Sequence, residues 1–198
     1  EYYRERKDYF GNLAAVLSIH EPHTELTVTS TSVIDTAGRP TGFGPQGPQP
    51  WESVAEESRT DLDAIEFSLD SPLVAASDAL RAYASPSFPR ARPVAEAVEE
   101  LTHRIHTDFT FDATATDVDT HLDVVLDLRR GVCQDFAHVL IGALRSFGLA
   151  ACYVSGYLET VPPPGKPRPG PTRCIRWRTE RCSNTSSALP RSPTSMRR

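Results

Sequence analysis

Cysteines and long apolar runs are scarce in this chain of 198 residues. Its four cysteines, Cys133, Cys152, Cys174 and Cys182, form no Cys-x-x-Cys pair and have no regular spacing. This argues against a disulfide scaffold or a zinc knuckle and favours a reducing, cytoplasmic compartment. No stretch approaches the roughly 18 apolar residues of a membrane span, so we expect no membrane partner. The chain begins with Glu1 and shows no apolar signal segment, which leaves the position of the natural N-terminus open.

Charge is unevenly distributed along the chain. The formal net charge of −5 divides into −13 over residues 1–161 and +8 over residues 162–198. The second segment holds eight of the 17 prolines and few branched aliphatic side chains, so it cannot bury enough apolar surface to offset its ordering entropy. It is predicted to be a disordered tail. The alternative, nucleic-acid binding by its arginines, is not favoured because the segment has no amphipathic pattern.

Residues 1–70 are predicted to be rich in β-structure. Residues 13–19 are apolar, residues 25–35 are rich in β-branched side chains, and residues 65–69 alternate between apolar and polar. Between them, residues 38–50 hold four glycines and four prolines, which predicts a loop.

Residues 71–161 are predicted to be mainly helical. One helix is expected over 73–84, with Ser71 as its N-cap and Pro72 as its first residue, and another is expected to begin at Pro93. Further elements follow in chain order: an extended piece at 109–111, a helix within 117–130, a helix from Cys133 that ends at Gly148, and a strand at 150–158. A β-rich segment followed by helices and a further strand predicts an α+β fold.

Cys133 lies in the run Arg-Gly-Val-Cys-Gln-Asp-Phe-Ala-His, directly ahead of an apolar helical pattern. In the first turn of a helix, a cysteine faces the positive end of the helix dipole and unpaired backbone N–H groups. Both favour the thiolate, which is the nucleophilic form, and the N–H groups can also donate to an oxyanion. Gly131 allows a sharp turn and close approach of a substrate. A buried, inert core cysteine is the alternative.

The runs at 131–138, 144–151 and 153–158 resemble the core of bacterial transglutaminase-like proteins, which belong to the papain-like cysteine hydrolase superfamily. Residues 8–12 and 21–26 resemble the N-terminal β region that precedes this core. The resemblance covers about residues 1–164. It implies an N-terminal antiparallel β region at 1–70, then a partial papain-like core at 71–161 with helices packed on a truncated antiparallel sheet, and the tail at 162–198.

In that family the thiolate pairs with a histidine and an aspartate on the two following strands, and the reaction is acyl transfer or amide hydrolysis through a thioester on a protein or peptide. Cys133 maps onto the nucleophile. No residue maps onto the other two, because His138 is the only histidine after Cys133. The resemblance therefore implies little or no turnover. It also implies that the apolar face formed by Phe136, Leu140 and Leu144 is partly uncovered, with poor solubility and low stability.

The remaining candidate side chains have simpler interpretations. On a helix, His138 lies about 140° round the axis from Cys133 and does not meet the sulfur. Asp135 is predicted to cap the helix or pair locally. His103 and His106 share a helix face, but without further ligand spacing a metal pair is not favoured, and no cofactor or metal is predicted. No role is assigned to the other histidines, which are His20, His23 and His121.

Near residues 166–168 the charge, proline content and apolar content all change together. Such a change in composition is typical of a shifted reading frame in GC-rich DNA, and we treat that as a hypothesis about residues 162–198.

Two functions from different classes remain: a transglutaminase-like cysteine hydrolase or acyltransferase with Cys133 as nucleophile, and a non-catalytic scaffold or interaction module that keeps the fold.

Overall fold

The computed structural model describes residues 2–29, 48–117, 119–158, 172–178 and 195–196. The helices are α1 (Trp51–Ser58), α2 (Leu62–Ser68), α3 (Asp78–Ala84), α4 (Val94–Asp108), α5 (Leu122–Leu128) and α6 (Cys133–Ser146). The strands are β1 (Tyr2–Lys7), β2 (Leu13–Ser18), β3 (Val28–Thr29), β4 (Thr110–Phe111), β5 (Arg130–Gly131), β6 (Cys152–Leu158), β7 (Thr172–Arg178) and β8 (Ser195–Met196). The predicted α+β class is confirmed. None of the helices in these ranges has the length and hydropathy needed to cross a membrane.

The chain forms two compact units, and the first consists of residues 1–42 and 183–198. Its main feature is a hairpin in which β1 and β2 pair antiparallel, from Tyr2 opposite Ser18 to Lys7 opposite Leu13. The Asp8 carboxylate closes the turn by accepting from the backbone and side-chain amides of Asn12. The strand expected within residues 13–19 is therefore present. In the same unit, β3 pairs antiparallel with β8. Most of the strand expected at 25–35 lies outside the described residues, as does most of the loop at 38–50.

The second unit, residues 43–182, is built around α6. This helix packs against α3, α4, α5 and β6. Its fully buried side chains include Val139, Ile141 and Leu144. At Gly142 a Cβ would lie 2.8 Å from Leu80 Cδ1 and 3.0 Å from Leu122 Cδ2, so the glycine lets α3 and α5 approach α6 closely.

The apolar face of α6 that was expected to be partly uncovered is in fact covered. Leu140 is 3% exposed and Leu144 is 0% exposed. Phe136 is partly buried, and its ring packs edge-on against that of Phe109, with 5.6 Å between centroids. Helices α3, α4 and α5 and strand β6 pack against α6, so the uncovered face on which the expected low stability rested is not present.

Two predicted elements of the second unit differ from the structure. Residues 65–69 alternate as a strand would, yet Ile65 lies within helix α2, because Asp61 caps that helix by accepting from the backbone N–H of Asp63. The helix predicted over 73–84 begins only at Asp78, where the Ser77 hydroxyl accepts from Leu80 N. Ser71 instead pairs with Val74 in an isolated bridge. Helix α1, in a range read as β-rich, was missed.

The C-terminal part of the described chain contains a second hairpin. Strands β6 and β7 pair antiparallel, from Cys152 opposite Arg178 to Leu158 opposite Thr172. Strands β7 and β8 both lie within the range predicted as a tail, and the rest of that range lies outside the described residues. Cys152 is disulfide-bonded, which differs from the reduced thiols expected from the cysteine spacing.

One half-buried arginine joins three segments of the second unit. Arg145 donates from Nε to Phe67 O at 3.0 Å and from the guanidinium to Ala151 O at 3.1 Å. It also donates to Ser71 Oγ at 3.1 Å and to Val74 O at 3.4 Å. Burial lowers the pKa of Arg145 from its ordinary value, opposed by the charge of Asp70. The guanidinium therefore fastens α2, the 71–74 turn and the start of β6 to α6.

We expect Arg145→Met to lower the free energy of unfolding by about 3 kcal/mol, because it removes four charge-assisted hydrogen bonds from a half-buried position. Urea unfolding followed by circular dichroism measures the change. The matched control is Arg59→Met, since the pair of Arg59 with Glu56 is exposed and should contribute less than about 0.5 kcal/mol. Equal effects of the two substitutions would contradict the joining role of Arg145.

Candidate active site

The N-terminus of α6 presents Cys133 to solvent. Val132 is the N-cap, with extended backbone, and Cys133 is the first helical residue. The N–H of Phe136 makes the first i to i−4 hydrogen bond, to Val132 O at 3.2 Å. The backbone N–H groups ahead of it lie outside the helical ladder and add to the positive end of the helix dipole. Cys133 is a free thiol with an exposed side chain, so the predicted placement at the start of a helix is confirmed and a buried core cysteine is not what the structure shows.

A short parallel pair of strands, β4 and β5, lies directly before this cysteine. Arg129 is the C-cap of α5, and its φ of 53° places it in the left-handed region. The next residues form β5, which pairs parallel with β4 so that Phe111 stands opposite Gly131. Thr110 N donates to Arg129 O and Asp112 N donates to Gly131 O, both at 2.9 Å. The backbone two residues before Cys133 is therefore held on one side by a strand from another part of the chain.

Asp135 holds the other side of the same turn. Its Oδ2 accepts from Val132 N and from Thr116 Oγ1, both at 2.7 Å, and the side chain is 6% exposed. This confirms the prediction that Asp135 caps and pairs locally. A Cβ at Gly131 would collide with Oδ2 and lie 2.9 Å from the carboxyl carbon. Gly131 is thus needed for the carboxylate to reach the helix cap. The contact with Thr116 was missed in the sequence, since nothing in the local pattern marks a partner 19 residues upstream.

His138 faces a different part of the molecule from Cys133. Five residues further along α6, it lies about 7.5 Å along the helix axis and about 140° round from the cysteine. Its ring centroid is 5.5 Å from that of Tyr153. Burial lowers the pKa of His138 from 6.5, and Arg145 acts in the same direction while Asp135 opposes it. The structure does not bring His138 to the sulfur.

A cavity of about 290 Å³ lies beside this histidine. Its wall combines apolar side chains with the imidazole and the guanidinium of α6, and Cys133 is not part of it. The lining residues are Ser71, Pro72, Leu73, Val74, His138, Ile141, Arg145 and Tyr153.

The other histidines of the second unit do not form a site. His103 and His106 are exposed on α4. His121 Nδ1 lies 3.6 Å from Asp123 Oδ2, and both side chains are exposed. Within the described parts of the chain, no three His, Cys, Asp or Glu side chains are grouped so as to hold a metal ion. In the first unit, His20 and His23 each have a local hydrogen-bond partner, Ser18 Oγ and Glu21 O respectively.

The strand that follows β6 is the place where the family resemblance predicts a histidine. That strand is β7, with the sequence Thr-Arg-Cys-Ile-Arg-Trp-Arg, which contains none. The described geometry around Cys133 therefore consists of an exposed thiol, helix N–H groups outside the i to i−4 ladder, and a backbone held by β4 and Asp135.

Gly131→Ala should lower the free energy of unfolding by roughly 1 to 3 kcal/mol, because the added methyl group displaces the buried Asp135 carboxylate. The measurement is a double-mutant cycle in urea with Asp135→Ala. With the carboxylate removed, the same glycine substitution should cost clearly less. Simple additivity of the two changes would show that Gly131 does not serve the carboxylate.

Protonation of His138 should destabilise the fold. Because burial lowers the pKa of His138 below the 6.5 of the unfolded chain, the unfolded state binds the proton more readily, and this contribution to stability is lost as pH falls through and below 6.5. We expect His138→Gln to reduce the loss of stability between about pH 7.5 and about pH 5.5. The exposed His103→Gln variant is the control, and equal pH dependence in both variants would refute the role of His138.

Comparison with known proteins gives two matches to family models. The transglutaminase-like superfamily model matches residues 81–184, and the bacterial transglutaminase-like N-terminal region matches residues 1–35. The first match covers the whole of α6 and the strands on either side of it.

Individual proteins are also similar to this chain. An uncharacterized protein of Mycobacterium tuberculosis is 46% identical over 164 residues, which are 82% of this chain and 52% of that protein. One of Mycobacterium leprae is 33% identical over 154 residues, 77% of this chain and 53% of its own length. The chain thus spans about half the length of the curated relatives it matches. A solved structure from Cytophaga hutchinsonii, described as a "putative cysteine protease", is 27% identical and covers 59% of this chain and 38% of its own, with a TM-score of 0.49. On the evidence of the core match, which extends over more than half of the sequence, the chain belongs to the transglutaminase-like superfamily.

Proposed function

We propose that Cys133 is the nucleophile of a transglutaminase-like cysteine hydrolase or acyltransferase that acts on amide bonds of a protein or peptide. The observation that carries the proposal is an exposed, free thiol at the first residue of α6, on a backbone held by β4 and by Asp135. Membership of the superfamily supports the same role.

The chemistry follows from this position. The thiolate sulfur attacks the carbonyl carbon of the amide, and the carbonyl oxygen becomes an oxyanion next to the N–H groups of the helix N-terminus. Collapse of this adduct breaks the C–N bond, forms a thioester, and releases the amine after it gains a proton. Water or a second amine then attacks the thioester, which regenerates the thiol.

Two of these steps need a proton carrier. The amine must be protonated as it leaves, and the attacking water must be deprotonated. A histidine usually does both in enzymes of this kind. His138 faces away from Cys133, and His103 and His106 are exposed on α4. We therefore propose that this chain acylates at Cys133 but turns over slowly, since removal of triad members lowers rates by orders of magnitude.

An activated ester tests acylation of Cys133 separately from turnover, because p-nitrophenolate leaves without a proton donor. We expect p-nitrophenyl acetate to release about one equivalent of nitrophenolate per chain, followed by slow steady-state turnover. Cys133→Ala should abolish the release, and mass spectrometry should find the acetyl group on Cys133. Iodoacetamide should label Cys133 faster than N-acetylcysteine amide at the same pH.

The second candidate is a scaffold or interaction module that keeps the fold without catalysis. It is favoured by the absence of histidine from β7. Labelling no faster than the free thiol, together with no release of nitrophenolate, would support the scaffold and refute the nucleophile. Amide turnover that persists in Cys133→Ala would place the chemistry elsewhere in the chain.

A further inference from the structure

Arg129 has a left-handed backbone and lies at a turn four residues before Cys133. A residue with a side chain is costly in this region of backbone space, by roughly 1 to 2 kcal/mol, and glycine usually occupies such a helix C-terminus. Here an arginine occupies it, with φ of 53°. Its backbone N–H donates to Val125 O at 3.0 Å, and its carbonyl accepts from Thr110 N at 2.9 Å. The turn therefore both ends α5 and begins the β4–β5 pair.

The Arg129 guanidinium is held by contacts that compensate for this backbone. Its central carbon lies 4.2 Å from the centroid of the Tyr83 ring and 5.0 Å from that of Phe109. One terminal nitrogen lies 3.6 Å from Asp108 Oδ2. The Tyr83 hydroxyl donates to the same carboxylate oxygen at 3.0 Å. Stacking over aromatic faces and pairing with a carboxylate are both interactions that suit the planar guanidinium better than an ammonium.

Two routes connect this cluster to the candidate nucleophile. The first is the backbone, since Arg129 is followed by β5, Val132 and Cys133. The second passes through side chains, because the Phe109 ring also packs against Phe136 on the first turn of α6, with 5.6 Å between centroids. A shift of the guanidinium would thus be felt both by the strand before Cys133 and by the helix that carries it.

We infer that Arg129 is a positioning residue for Cys133. Tyr83, Phe109 and Asp108 form a clamp around its guanidinium. This clamp fixes the left-handed turn and thereby the position of the sulfur at the helix N-terminus. This inference rests on the proposed role of Cys133 as a nucleophile. Burial and the hydrogen bond to Asp108 raise the pKa of Tyr83 above its usual range, consistent with a hydroxyl that donates to the carboxylate.

The test measures iodoacetamide labelling of Cys133 in fully folded protein, with urea unfolding recorded for each variant. Arg129→Gly tolerates the left-handed turn and removes the guanidinium, but it also frees the backbone, so Tyr83→Leu, which leaves residue 129 unchanged, isolates the side-chain clamp. We expect labelling to slow by roughly tenfold or more in Arg129→Gly and in Tyr83→Leu, since small displacements of a reacting group have large effects on rate. Arg129→Lys should recover part of the rate, and the Gly and Leu changes combined should be less than additive.

A purely structural role predicts a different result. In that case the variants would lose stability, but the folded protein would label at the wild-type rate, and the inference would be wrong. If Arg129→Gly does not fold, Arg129→Lys and Tyr83→Phe provide the same comparison with smaller changes. Arg81→Lys is the control, since Arg81 also lies over an aromatic ring, that of Phe147, but near the opposite end of α6. It should leave the labelling rate unchanged.

The two proposals fail separately. If wild-type Cys133 labels no faster than N-acetylcysteine amide and p-nitrophenyl acetate releases no nitrophenolate, the proposed nucleophile is refuted. If wild-type Cys133 is fast and the Arg129 and Tyr83 variants are equally fast, only the positioning role is refuted.

Discussion

Burial of α6 is the constraint on which the rest of the second unit depends. Apolar side chains from α3, α4 and α5 surround this helix, and Gly142 lets two of these helices come close. A helix enclosed in this way has little freedom to rotate or slide, because repacking a dense core is costly. At its N-terminus, the helix exposes the thiol of Cys133 to solvent. The position of Cys133 therefore depends on this packing together with the local contacts of Asp135 and β5.

The extent to which the structure could be predicted depends on how local each interaction is. Helix α6, its end near Gly148 and the capping role of Asp135 were predicted, because each is encoded within a few neighbouring residues. Asp135 meets Val132 three positions before it, and Gly148 has the left-handed backbone typical of a helix end, with φ of 77°. The spacing of apolar residues in α4 and α5 also predicted helices, because that pattern is likewise encoded within a few neighbouring residues.

Predictions failed where the decisive contact is distant or the pattern is too short. The five alternating residues at 65–69 fit a strand, but a cap at Asp61 makes them helical. Arg145 reaches Phe67, 78 residues away, and no local pattern marks that pair. The expected exposure of Leu140 and Leu144 was wrong because it considered the missing strands and not the helices that also pack against α6. A left-handed arginine at position 129 likewise has no sequence signature, since glycine or asparagine would be expected there.

The hydrogen bonds of Arg145 have a consequence for how the molecule opens. Its acceptors belong to α2, to the 71–74 turn and to the residue just before β6, while the guanidinium itself belongs to α6. None of these segments can detach alone without leaving polar groups half buried and unpaired. Local fluctuations that would otherwise be independent are thereby merged into one cooperative event. Amide protons at the end of α2 and at the start of β6 should exchange with solvent through a shared opening, although 80 or more positions of sequence separate them.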